Sequence, residues 1–182
     1  MKTKMLLMIG VLIIAFAAMV APVMAATNTT ITGNPAKTIS VTVNGGPIGL
    51  VLNAGSTASD STTESLTVAS NSPGWTVSVK DALDGSKPSA GQMVDYGGAS
   101  YGTLALASHM SVGSASQAGF TGTTVVLSGT DQAIETGAGD YTAANTFTNT
   151  ALTFSQPVAI TDSVLPTGHT YRIIVTFTGN TP

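Results

Sequence analysis

Cysteine is absent from the 182 residues, which excludes disulfide scaffolds, thiolate zinc sites, CxxC redox chemistry, cysteine nucleophiles and a lipid-acylated cysteine anchor. Charge is scarce as well, with charged residues at 8% and only six Lys and Arg. So few basic side chains cannot neutralise a row of phosphates, and nucleic acid is excluded as a partner. Histidine occurs only at His109 and His169, neither in HExxH nor in a His-x-His spacing, so a metal site has at most two imidazoles and a triad only two candidate bases. No GxSxG elbow is present, and Gly97-Gly98 lacks the lysine of a phosphate loop. A hydrolase would need one of the two histidines to meet a serine and a carboxylate in one cleft, so it stays a remote alternative. The chain is read as non-enzymatic, with no catalytic residues.

What is present begins with an address. Lys2 and Lys4 precede an apolar run from Met5 to Val20, and Ala21-Pro22-Val23-Met24-Ala25 follows with small residues at Val23 and Ala25. A basic head, an apolar middle and a small-residue end make a secretory signal, predicted over residues 1–25 with cleavage after Ala25. The rival reading is a retained anchor, for which the run falls short of the roughly 20 residues that span a bilayer. Removal of the signal leaves four basic and nine acidic side chains, a net charge of −5, and no membrane span in the mature chain. Such a protein is expected to be secreted or displayed at the cell surface. Its compartment admits disulfides that it cannot form, so its stability has to come from the core.

Thr and Ser supply 46 of the residues from Ala26 onward. These residues, with Val, favour pleated sheet over helix, where β-branched side chains lose rotamer freedom. Ile39, Val41 and Val43 alternate with polar residues until Asn44-Gly45-Gly46-Pro47 stops the run, and this is the first predicted strand. Ile48 to Leu52 reads as a second short run. Leu66 to Val79 reads as a hairpin turning at Asn71-Ser72-Pro73-Gly74, with Trp75, Val77 and Val79 on its inward face. The stretch from Asp81 to Gly102 shows no period and is expected to be the longest loop. A short strand through Leu104 to Val112 is followed by Thr123 to Leu127, apolar enough on both faces to be central, and by a polar connection over 137–149. Leu152, Phe154, Gln156, Val158 and Ile160 share one face, and Tyr171, Ile173, Val175 and Phe177 do so in a final strand. Pro157 places its strand at an edge or a bulge, and a buried Gln156 would have to bond backbone groups. The prediction is an all-β, Ig-like antiparallel sandwich of about seven to nine strands over residues 39–182, preceded by a flexible segment over 26–38.

Trp75-Thr76-Val77-Ser78-Val79 resembles the first motif of WxL-type cell-surface domains. Tyr171-Arg172-Ile173-Ile174-Val175-Thr176-Phe177 resembles their distal motif, with Val77 where that family has leucine and Phe177 where it has tryptophan. Camelysin-type and biofilm-fibre subunits, which are β-sandwiches, are similar in build. The resemblance implies an exported sandwich attached to cell-wall peptidoglycan, with Trp75, Val77, Tyr171 and Phe177 at the motif positions. The strand pattern by itself makes the same four residues inward-facing core.

No cofactor is expected apart from calcium, for which Asp81 and Asp84 in one loop and Asp131, Glu135 and Asp140 in another are the candidate oxygen ligands. Tyr96, Tyr101 and Tyr141 are candidate stacking platforms for sugar rings. Two functions compete. One is a structural or interaction protein that self-assembles, or joins other surface proteins, into a layer, fibre or adhesive coat, with residues 26–38 a candidate donated strand. The other is a module for cell-wall polysaccharide or another glycan.

Overall fold

The computed structural model describes residues 36–182 except Pro73 and residues 139–144, and describes Ala138 and residues 145–150 by backbone alone. The signal peptide, most of the 26–38 segment, Asp140 and Tyr141 therefore lie outside the described residues. Within them the chain is all-β, with thirteen strands and no helix. In order these are β1 (Ile39–Asn44), β2 (Thr57–Asp60), β3 (Ser65–Ser70), β4 (Gly74–Asp81), β5 (Gln92–Tyr96), β6 (Tyr101–His109) and β7 (Ser111–Ser114). They are followed by β8 (Phe120–Gly122), β9 (Thr124–Val126), β10 (Gln132–Ala138), β11 (Asn145–Pro157), β12 (Thr170–Arg172) and β13 (Val175–Asn180).

All described ladders are antiparallel. One sheet has the order β1-β3-β11-β7-β9, with β2 also on β11; a second has the order β13-β4-β10-β8; a third, of three strands, has the order β12-β5-β6. The first two face each other. Leu66, Val68, Val112, Leu152 and Phe154 come from the first sheet, Trp75, Val77, Val79, Phe120 and Ile134 from the second, and all join one buried cluster. This is the packing of a β-sandwich. The burial of β3 alternates strictly, with Leu66, Val68 and Ser70 inward, as a half-buried strand requires. Trp75 packs against Phe120 with ring centroids 6.0 Å apart.

Several elements differ from the sequence reading, each for a local reason. Leu66 to Val79 is not a hairpin, because β3 pairs with β1 and β11 while β4 pairs with β10 and β13. The corner between them carries the chain from one sheet to the other. The carbonyl of Thr38 accepts from Asn71 N and Ser70 Oγ, and Ser72 N donates to Ser70 Oγ. The expected loop over 81–102 contains β5, whose alternation is hidden because its ladder with β6 shifts register twice. Ile48 to Leu52 forms no strand, although Ile48 and Leu50 pack against the core. Thr123 to Leu127 is not central, since β9 is an outer strand and Val126 is exposed. Ile160 lies beyond β11 in a turn and is exposed. The single strand predicted over Tyr171–Phe177 is two, β12 on β5 and β13 on β4. The strand total exceeds the predicted seven to nine because Leu104–Val112 and Tyr171–Phe177, which read as continuous, are each divided between two sheets, and because β2, β5, β8 and β10 lie outside the runs read as strands.

Gln156 follows expectation. It is fully buried, and its Nε2 donates to the carbonyls of Ser108 (3.0 Å) and Pro157 (2.7 Å). Pro157 ends β11 opposite Thr57 of β2, past the β7 ladder, which covers only Leu152 to Ser155. Its missing N–H thus costs no bond to β7.

Candidate functional site

The three-stranded sheet gathers one polar cluster. Tyr96 of β5 stands opposite Tyr101 of β6, and Arg172 of β12 stands opposite Val94, two residues from Tyr96 and therefore on the same face. The tyrosine rings meet edge to face with centroids 5.1 Å apart. The guanidinium of Arg172 lies 4.2 Å from the Tyr96 centroid and 5.8 Å from that of Tyr101, a cation–π arrangement. Its Nη2 is 3.3 Å from Asp84 Oδ2, and Tyr96 Oη donates to the carbonyl of Gly98 at 2.9 Å. Burial raises the Tyr101 hydroxyl above its usual range, and the Arg172 charge partly opposes this. Both tyrosines are half-buried, one face of Tyr96 is taken by arginine, and Tyr101 Oη is shielded from solvent with no hydrogen-bond partner among the described residues.

The opposite face of the same sheet carries Asp95 and Tyr171, which are register partners. Asp95 Oδ1 is 2.6 Å from His169 Nδ1, and Tyr171 Oη donates to the carbonyl of Ser163 at 2.8 Å. Burial, and then the nearby Asp162 and Asp95 charges, raise the Tyr171 hydroxyl. The other histidine is distant in sequence and partner, since His109 Nδ1 is 3.1 Å from the carbonyl of Leu127.

A second feature is an apolar groove of about 640 Å³. The strands β1 and β13 are outer strands of the two facing sheets. At one end they are stitched together. A Cβ on Gly179 would touch Val41 and Ile39, and Lys37 Nζ donates to the carbonyl of Pro182 at 3.0 Å. At the other end they part, and the groove opens between Val43 and Val175, with Ile48 and Leu50 at its lip and the core residues Met110 and Phe154 in its walls. Glu64 also lines it, and its Oε2 is shielded from solvent with no hydrogen-bond partner among the described residues. No residue from Tyr171 to Gly179 is fully buried, which leaves the apolar side chains of β13 only partly covered.

The remaining predicted positions are dispersed. Trp75 and Val77 are core residues of β4. Phe177, on the neighbouring β13 opposite Val79, is half-buried, and Tyr171 belongs to the three-stranded sheet. Among the candidate calcium ligands, Asp81 is buried against Lys87, Asp84 faces Arg172, Asp131 is 3.2 Å from Lys80 Nζ, and Glu135 is buried with Ser114 Oγ at 2.5 Å. Among the described residues no three His, Asp or Glu side chains gather to hold a metal. Neither Arg172 nor the groove is singled out by the sequence, and His169 is placed only among two candidate bases, because the spacing of isolated residues says nothing of which strands lie side by side. No protein-family model, curated protein or solved structure matches the chain.

Proposed function

We propose that this is an exported, surface-displayed structural protein that associates with further copies of itself through the groove between β1 and β13. The observation that carries this reading is the groove itself. A folded domain gains by burying apolar side chains, and an apolar groove left open between two outer strands is a place where another chain can sit. The groove lies between two outer strands, whose outward N–H and C=O groups can accept an added strand. The N-terminal signal pattern and the resemblance of Trp75–Val79 and Tyr171–Phe177 to WxL-type motifs agree with a place outside the cell.

The test is light scattering with negative-stain microscopy on residues 26–182 over a range of concentrations, alongside Val43→Asp. Val43 is 42% exposed and lines the groove, so the substitution places a charge there without emptying the core. Oligomers or fibres in the native chain that the substitution abolishes uphold the reading. A native monomer at every concentration contradicts it.

A second reading has its own observation. Half-buried tyrosine rings beside an arginine and a carboxylate can meet the C–H groups and hydroxyls of a sugar, and Tyr96, Tyr101, Arg172 and Asp84 supply them for a cell-wall polysaccharide. Pull-down on purified cell wall, lost on Arg172→Ala while the fold persists, supports this alternative; equal retention of both proteins dismisses it.

A further inference from the structure

The side chains of Lys87 and Asp81 are both wholly removed from solvent, with Lys87 Nζ in direct contact with Asp81 Oδ2. Lysine is almost never buried unless it is paired, and among the described residues the pairing here is incomplete. An ammonium carries three donors, yet Asp81 is the only acceptor for Nζ among the described residues. Burial lowers the lysine from its ordinary value, with the nearby Asp81 opposing the shift, so the neutral nucleophilic amine becomes accessible.

The carboxyl group is held for attack. Its Oδ1 accepts the Leu83 N–H at 3.1 Å and its Oδ2 the Gly91 N–H at 2.7 Å. The Leu83 N–H stabilises the negative charge that develops on Oδ1 during addition, and the Gly91 N–H holds Oδ2 in place beside the amine. Their positions are themselves fixed. Asp81 N donates to Ser128 and Ala82 N to Ile174, while the carbonyl of Gly91 accepts from Met110. Gly91 has φ +78°, and a Cβ there would collide with the Leu127 carbonyl, so only glycine brings its N–H so close. Leu83 takes a left-handed φ of 50°, uncommon for a residue with a branched side chain, and thereby turns its N–H toward Oδ1.

We propose that Lys87 and Asp81 condense to an intramolecular isopeptide bond, a covalent cross-link in a chain that has no cysteine for a disulfide. Nζ first passes one proton to the carboxylate oxygen it touches and then adds through its lone pair to Cγ. The Nζ–Cγ bond forms and the Cγ–Oδ2 bond breaks. Oδ2 leaves as water with two protons that began on the ammonium, and Oδ1 stays as the amide oxygen on the Leu83 N–H. One positive and one negative charge disappear together, no oxidant or co-reactant is consumed, and three buried N–H donors are reduced to one. Folding is the only requirement, since the unfolded chain neither desolvates the amine nor orients the carboxyl.

The test is the intact mass of the denatured mature chain, with fragmentation, compared with Lys87→Arg and Asp81→Ala. The proposal expects the native chain to be lighter than its sequence by one water molecule, with no backbone fragments separating residues 81 and 87, and expects both variants to have their full sequence mass. Asp84-Gly85 could also lose water by forming a succinimide, but that loss reverses in mild base and does not need Lys87. A native chain at full sequence mass overturns the proposal, as does a water loss that persists in Lys87→Arg or disappears in mild base. The measurement on the native chain decides the matter even if neither variant folds.

Discussion

Gly137 and Trp75 are register partners across β10 and β4, and the indole lies over the glycine. A Cβ built on Gly137 would sit 2.6 Å from the indole Cζ2 and closer still to Cε2 and Nε1. Gly137 does not have a left-handed φ, so Gly137→Ala tests sterics alone. The indole has little room to retreat, being 2% exposed and packed on Phe120. Overpacking a filled core costs about 1–3 kcal/mol, and the upper end applies here because a rigid ring must move. For a domain of this size about 3 kcal/mol lowers Tm by about 6–12 °C. The assay is thermal and urea unfolding followed by circular dichroism, since Trp75 is the sole tryptophan and its fluorescence is lost in the second variant. That variant, Trp75→Phe, removes part of the obstructing ring, so Gly137→Ala on its background is expected to cost about 2 kcal/mol less, a coupling of the size seen between residues in contact. Equal costs on both backgrounds, or no cost on either, would refute the reasoning.

Leu66→Ala empties a fully buried position between the sheets and is expected to cost about 2–5 kcal/mol, read as a lower urea midpoint at unchanged m-value. Asp60 accepts hydrogen bonds chiefly from the Thr63 N–H, and also from the Thr63 hydroxyl and the Thr62 N–H, which hold its carboxyl below the ordinary range. A depressed folded pKa contributes stability that is present above the unfolded pKa and lost as pH falls through the folded one. Asp60→Ala should therefore lower the unfolding midpoint at neutral pH, with the difference from the native chain closing in acid. A difference independent of pH would contradict that assignment. Gly91→Ala combines an unfavourable φ with a backbone collision and is expected to prevent stable folding, checked by loss of the cooperative unfolding transition.

The sequence made the fold class legible where one face of a strand is buried and the other solvated. The alternation of Leu66 with Val68, and of Trp75 with Val77 and Val79, reports a real inward face in each case. What the pattern cannot carry is which strand each one joins. Leu66–Ser70 and Gly74–Asp81 are close in sequence with a turn signal between them, yet a corner that changes sheet has the same composition as a hairpin turn. Ile173-Ile174-Val175 similarly conceals the break at which the chain leaves one sheet for another. Hidden β5 is the converse case, where bulges erase a period that pairing maintains. Among site residues, Tyr96 and Tyr101 were visible as two tyrosines in one stretch, but Arg172 joins them only because β12 lies on β5. The acidic positions looked like a cation site when counted along the chain, whereas in space Asp81, Asp84 and Asp131 each meet a separate basic side chain and Glu135 a serine.

The claim that most needs testing is that the groove between β1 and β13 is covered by another copy of the chain. A single Val43→Cys substitution gives the protein its only thiol, at a residue that is open to solvent in the single chain. Its rate of reaction with a maleimide, measured from dilute to concentrated protein, reports directly on that surface. Association through the groove predicts a rate that falls steeply as concentration rises and oligomers form. A rate that is the same at every concentration would contradict it.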